Sequence, residues 1–199
     1  TLTVNTAKLS RDAWMQMLAE RGIAAEKTEH SPYGVRLSAD APAPTALPGF
    51  AEGEFFVQDE ASQLAVLALD PKPGDFVIDT CAAPGGKAFL SAILTGKEVR
   101  AFDLHETKLS LISDGAARLG LSVSVAARDA TDPDPTLMGK ADAVLCDVPC
   151  SGLGVLGKKP DLRYKDITAL ETLPPLQKTI LAASASYVRP GGTLVYSTC

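Results

Sequence analysis

The stretch Asp75-Phe76-Val77-Ile78-Asp79-Thr80-Cys81-Ala82-Ala83-Pro84-Gly85-Gly86-Lys87 decides the fold. An apolar strand, DFVID, runs straight into a turn of small residues, and a helix opens near residue 84. Outward from it the same alternation repeats. Upstream lie FFV (55–57) and a helix over 59–69. Downstream come EVRAFD (98–103), a helical face of Leu109, Ile112, Ala116 and Leu119, then SVSVAA (122–127) and AVLCD (143–147). A helix carrying Leu173, Leu176, Ile180, Leu181, Tyr187 and Val188 precedes a last strand, TLVYS (193–197). Strands alternating with amphipathic helices predict an α/β fold with a mostly parallel sheet covered on both faces, binding ligands at the carboxyl ends of its strands.

The composition agrees. With 199 residues, 46% hydrophobic and 22% charged, 16 Gly and 14 Pro, the chain is globular rather than disordered, collagenous or coiled-coil. No apolar run is long enough to span a bilayer and no signal sequence opens the chain, so a cytoplasmic protein is expected, with no membrane partner. The net charge of -5 provides no general attraction for polyanions, and a nucleic-acid partner would need a local patch. Four cysteines without a C-x-x-C pair, and only two histidines, support neither a metal site nor a disulfide framework. Residues 1–50 read as a small α+β unit: Leu2 and Val4, then Trp14, Met17 and Leu18 at helical spacing, then Val35 and Leu37. Pro42, Pro44, Pro48 and Gly49 close it with a linker near 40–53, leaving 51–199 as the second domain. Its charges balance at five of each sign, so the whole net charge belongs to 51–199. The chain starts without Met and stops inside a strand, which is expected of a piece of something longer.

Small residues at 81–86 let a ligand reach backbone. A Walker loop would need Gly at 81 and Ser or Thr after Lys87; Cys81 and Ala88 stand there, and no G-x-G-x-x-G is present. The loop has the place of a cofactor loop without the glycines of a phosphate cradle. S-adenosylmethionine, which has no phosphate but carries a carboxylate suited to a helix N-terminus, meets both conditions; an ordinary strand-to-helix turn is the alternative. Asp103, 24 residues after Asp79, stands where such folds place an acid on a ribose diol. Asp129, after the next strand, is a candidate acceptor for an adenine amino group. A cap for Asp103 and a turn before Asp132-Pro133 for Asp129 are the structural alternatives.

CAAPGGK (81–87), AFDLHETKL (101–109), CDVPCSG (146–152), KKPDLRYK (158–165), the terminal VYSTC and FFVQDEAS (55–62) together resemble the bacterial Sun branch of the Nol/Nop/Sun family of RNA 5-methylcytosine methyltransferases. The resemblance implies a Rossmann-like S-adenosylmethionine-dependent methyltransferase fold over 54–199, preceded by a small RNA-binding-like subdomain. It makes RNA the partner, small-subunit ribosomal RNA above all. It places Cys81, Ala82, Ala83, Pro84, Gly85, Gly86, Lys87, Asp103, Lys108, Asp129 and Asp147 around the cofactor. It assigns Cys199 as nucleophile, Cys150 as the residue needed for product release, Asp147 to the cytosine ring edge and Lys87 beside the target base. The family's Sun branch also has an amino-terminal domain and residues after the nucleophile motif, which these 199 residues lack.

Chemistry supplies an independent reason for two thiols. Carbon 5 of cytosine is a poor nucleophile, and a thiolate added at carbon 6 makes an enamine that can attack a methyl donor. The carbon 5 proton must then leave before the thiol is eliminated, which needs a base or activated water. Cys146, inside an apolar strand, is expected to be inert core, and Cys81 to offer backbone rather than sulfur. Lys158, Lys159, Arg163 and Lys165 against Asp161 make a local +3 beside Tyr164, the candidate phosphate-contacting segment; a solvated loop is the plain alternative. Two rival functions stay open: an exocyclic-amine methyltransferase, since Asp147-Val-Pro-Cys150 resembles an Asp-Pro-Pro-aromatic motif without its aromatic residue, and a non-catalytic RNA-binding assembly module.

Overall fold

The computed structural model describes residues 1–155, 157, 160–164 and 169–198. Two sheets share it. The first is antiparallel and contains β1 (Leu2–Val4), β2 (Ala25–Lys27), β3 (Gly34–Leu37) and β4 (Phe55–Val57), ordered β2-β3-β1-β4. Helix α1 (Arg11–Glu20) starts where the Ser10 hydroxyl accepts from the Ala13 amide at 3.1 Å, and it buries Trp14 and Leu18 completely against Leu2, Val4, Val35 and Phe55. Strand β2, with its polar sequence Ala-Glu-Lys, shows no apolar alternation; it forms because its backbone pairs with β3 at the sheet edge.

Strand β4 enters the first sheet from beyond the proline-rich stretch and ties the two sheets together. Successive side chains on a strand point to opposite faces. Phe55 accordingly packs on Trp14, with ring centroids 4.6 Å apart, and Phe56 meets Phe89 of the second core edge-on at 5.7 Å. Asn5, fully buried, adds a polar tie by donating to the carbonyls of Gly53 (2.9 Å) and Leu119 (3.0 Å).

The second sheet is parallel throughout, formed by β5 (Val77–Asp79), β6 (Val99–Asp103), β7 (Val123–Ala127), β8 (Ala141–Asp147) and β9 (Val188–Ser197) in the order β7-β6-β5-β8-β9. Helices α2 (Glu60–Leu69), α3 (Gly86–Thr95), α4 (Glu106–Leu119) and α5 (Ala169–Tyr187) cover it. Val77, Ala101 and Leu145 join a core with Leu90, Ile112 and Leu119, while Ile78, Phe102 and Val144 pack on the other side with Tyr187. This is the expected α/β Rossmann-like fold. Helix α3 starts at Gly86, two residues later than the sequence suggests, because Gly85 stands at φ +110°, outside helical space.

Chain order reverses between β5 and β8: the strands after β5 run outward on one side, those after β8 on the other. The loops leaving these neighbours therefore part and open a crevice beyond Asp79 and Asp147. Among the described residues no helix is long and apolar enough to cross a membrane, and no group of three or more His, Cys, Asp and Glu could hold a metal ion.

Candidate active site

The loop after β5 crosses the crevice in four recorded steps. Thr80 stays with β8, its amide donating to the Leu145 carbonyl at 3.0 Å. The Cys81 amide turns back to Asp79 Oδ1 (3.4 Å), the Ala82 amide reaches the Phe102 carbonyl of β6 (2.7 Å), and the Ala83 amide donates to Asp103 Oδ2 (3.2 Å). Gly85 then takes its positive φ, and an added Cβ there would lie 2.4 Å from Phe89 Cζ. Glycine is thus required at 85 for the turn itself.

Two clefts meet at this loop. One, of about 400 Å³, is walled by Asp79, Cys81, Ala82, Ala83, Pro84, Gly86 and Lys87, with Val57, Gln58, Asp59, Ser62 and Asp147 opposite. The other, of about 500 Å³, adds Gly154, Gly157, Ser197 and Thr198 to a wall shared through Asp59, Ser62, Lys87 and Asp147. Asp147, at the end of β8, is held from both sides. Lys87 Nζ stands 2.6 Å from its Oδ2, and the Ser197 hydroxyl donates to Oδ1 at 2.7 Å. The pair is shielded, with the Lys87 side chain 16% and the Asp147 side chain 32% exposed.

Asp79 is almost completely buried, and its Oδ2 has no partner among the described residues. Burial pushes its carboxyl up to about 7; Lys87 opposes that shift, and Asp147 and Asp103 add to it. Burial, and then Asp79, push the Cys81 thiol up to about 12, so the sulfur stays protonated and the backbone is what the loop offers. Cys146, fully buried beside Val148 and Ile180, is likewise raised by burial and is the inert core thiol expected of it.

The structure therefore brings together Cys81, Ala82, Ala83, Pro84, Gly86, Lys87 and Asp147 on cleft walls, with Gly85 at the turn between them. Asp103 is buried behind the loop, accepting from the Ala83 and His105 amides (3.2 and 3.1 Å). Lys108 is exposed in the first turn of α4 and Asp129 is exposed after β7, where its Oδ1 takes both the amide and the hydroxyl of Thr131 and its carboxyl is lowered by those bonds. Neither lies on the walls of these two clefts. Cys150 is half-buried three residues beyond Asp147. Cys199, Lys158, Lys159, Lys165 and the Arg163 side chain lie outside the described residues; Thr198, one residue before Cys199, lines the second cleft.

The sequence alone gives no site role to Asp79, Gln58, Asp59, Ser62 or Ser197. Ser197 belongs to VYSTC and three others to FFVQDEAS, so the motifs marked the neighbourhood without giving roles.

Known proteins match this arrangement over the whole chain. The profile of the 16S rRNA methyltransferase RsmB/F family covers residues 66–199, and that of the ferredoxin-like domain of RsmF/B-like methyltransferases covers 1–43. The probable ribosomal RNA small subunit methyltransferase B of Synechocystis sp. is 42% identical across all of this chain, which covers 46% of that protein. The ribosomal RNA small subunit methyltransferase B of Vibrio vulnificus is 39% identical, with 47% of it covered. The chain thus spans a little under half the length of these relatives. Among solved structures, a methyltransferase homologue from Pyrococcus horikoshii superposes with a TM-score of 0.87 at 30% identity, over all of this chain and 63% of that one. NSun6 from the same organism, solved with SFG, shares the fold at a TM-score of 0.85 and 23% identity, over all of this chain and 74% of its own. The loop fits S-adenosylmethionine, the cofactor expected from the sequence, since it lines its cleft with small residues and a buried carboxylate oxygen of Asp79 lies unpartnered on the same cleft wall. This chain belongs to the RsmB/F family of 16S rRNA methyltransferases.

Proposed function

We propose that the protein carrying this chain methylates carbon 5 of a cytosine in small-subunit ribosomal RNA through a covalent bond between Cys199 and carbon 6. One observation carries the reading: the carboxylate of Asp147 stands on the wall common to two clefts with Lys87 on one oxygen and Ser197 on the other. A cofactor cleft and a base cleft meeting at a carboxylate held in this way is what ring activation beside a methyl donor requires.

The loop 81–86, with Asp103 behind it, holds S-adenosylmethionine, which when bound supplies an electrophilic methyl group. Asp147 hydrogen-bonds the cytosine ring edge and steadies the polarised base as the Cys199 thiolate adds. Lys87 keeps that carboxylate in place and its cation favours the thiolate. Once carbon 5 carries its methyl group, the proton there departs to a base or activated water, the thiol is eliminated, and Cys150 serves this release. The target base has to leave its stack to reach both clefts. Residues 1–50 form the small RNA-facing unit and 51–199 the methyltransferase domain; Lys158, Lys159, Arg163 and Lys165 contact phosphates, and the reaction belongs to the cytoplasm, on ribosomal RNA before assembly closes over it.

RNA carrying 5-fluorocytosine, which cannot lose a proton from carbon 5, tests this. The full-length enzyme with S-adenosylmethionine is expected to form an adduct stable in denaturing gels, and Cys199→Ser none. Methylation of ordinary RNA without trapping by either protein would instead mark an amine methyltransferase, and a folded full-length protein showing no heat of S-adenosylmethionine binding would be a non-catalytic module.

A further inference from the structure

In sequence Cys150 follows β8 and Cys199 follows β9, and one side chain outside both strands touches the backbone just after β8 and a side chain of β9. The ladder between the strands runs to the Val148 amide, which donates to the Ser197 carbonyl at 3.1 Å. Just past it, the Pro149 carbonyl accepts from Gln177 Nε2 on α5 at 2.9 Å. The same amide accepts, at Oε1, the hydroxyl of Tyr196 at 3.2 Å. The orientation of Gln177 is dictated by chemistry: a carbonyl can only accept, so the nitrogen faces Pro149, and the oxygen is left for the one partner that can donate. Tyr196 and Ser197, adjacent on β9, point to opposite sides, Ser197 to Asp147 and Tyr196 to Gln177. Asp147 is thus braced on one side of the strand pair and Pro149-Cys150 on the other.

We infer that Gln177 is a positioning residue for the release step, fixing the Pro149-Cys150 segment against the end of β9 through its bonds to the Pro149 carbonyl and the Tyr196 hydroxyl. The inference rests on the proposed reaction, in which Cys150 acts after methyl transfer. Gln177 touches neither cleft wall and so acts through the segment it holds. Losing the brace removes two bonds that orient Pro149-Cys150 against β9, so the step that needs Cys150 in place suffers more than the earlier addition of Cys199.

The test uses the full-length enzyme with Gln177→Met, which keeps length and packing and removes both bonds, and Tyr196→Phe, which removes one hydroxyl. Each is assayed on 5-fluorocytosine RNA for adduct formation and on ordinary RNA for adduct accumulation and single-turnover release. Expected for Gln177→Met are trapping at the wild-type rate, a covalent band with ordinary RNA that the wild type does not build up, and release slowed about tenfold, as for one or two neutral hydrogen bonds. Tyr196→Phe should show the same pattern more weakly, about threefold. Wild-type release in Gln177→Met, or equal slowing of trapping and release in both variants, overturns the inference. Should the wild type itself fail to trap 5-fluorocytosine RNA, the reaction scheme falls and this role with it, an outcome distinct from the other two.

Discussion

Lys87 and Asp147 face each other at 2.6 Å across the crevice between β5 and β8, one from the first turn of a helix and the other from a strand end. The crevice exists because chain order reverses there, and the pair closes the gap between the two parting loops. Partly buried charge-assisted bonds of this kind contribute about 1.5–3 kcal/mol. Lys87→Met should therefore slow single-turnover methylation by the full-length protein roughly 10- to 100-fold. Rapid quench with labelled S-adenosylmethionine measures it, and a change under threefold would remove Lys87 from the proposed site.

Asp79 gives the chain a pH dependence of unusual sign. Its folded carboxyl titrates at about 7 against an ordinary 3.8, so between those values the folded state holds a proton that the unfolded state has lost. Its contribution to stability is complete below the ordinary value, declines as pH rises to about 7, and is level above that. The groups acting on it are Lys87, Asp147, Asp103 and the Cys81 amide. Relative to Asp79→Asn, the wild-type chain should lose thermal stability between pH 5 and pH 7.5, with the variant the more stable at pH 8. Parallel curves for the two proteins across that range would show that Asp79 is ionised throughout.

How much of this was legible beforehand depends on range. The strand-turn-helix at 75–87 announced itself because its apolar period breaks into small residues within a few positions, and the alternation of strands and helices followed from the same local signal. Asp79 was visible only as a spacing mark. Its burial comes from being a central strand's last residue, with β6 and β8 on either side. Ser197 and Asp147 are neighbours only through the β8–β9 register, which no local pattern states. Residue type alone does not say whether an acid faces a ligand or a local partner: Asp129 Oδ1 is engaged by Thr131 two residues on. Strand β2 leaves no periodic signal in the sequence because an edge strand needs only backbone.

Cys81 and Cys146 should be silent toward alkylation. With a thiol at about 12, Cys81 is thiolate in roughly one molecule in ten thousand at pH 8, and Cys146 is fully buried. Native-state iodoacetamide labelling followed by peptide mass spectrometry is expected to leave both unmodified over an hour and to label both in urea. Fast native labelling of Cys81 would mean its sulfur, rather than its backbone, faces the cleft.

Asn5 is a structural counterpart to the site. From the small unit its amide satisfies two carbonyls, Gly53 just before β4 and Leu119 at the end of α4, with no exposure to water. Asn5→Leu would leave both carbonyls without that donor, at a cost of about 2–4 kcal/mol. A lower urea midpoint with an unchanged slope is the expected result, since the slope follows the surface exposed on unfolding. A biphasic curve would instead show that the small unit unfolds before the parallel sheet.

Gly85 separates backbone strain from collision. Gly85→Ala places a non-glycine residue at φ +110°, which costs of the order of 1–3 kcal/mol, and also drives its methyl into the Phe89 ring at 2.4 Å. The ring cannot retreat easily, being 5% exposed and wedged between Phe56 and Gly115, where an added Cβ would lie 2.6 Å from Phe89 Cζ. Phe89→Leu alone loses ring contacts and should destabilise by about 1–2 kcal/mol. In the double variant the smaller side chain relieves the collision but leaves the dihedral strain, so the double loss should fall short of the sum of the singles by about 1 kcal/mol or more. Additive losses would mean the loop absorbs the methyl by moving. In that event calorimetric binding of S-adenosylmethionine should weaken in Gly85→Ala whether or not Phe89 is shortened.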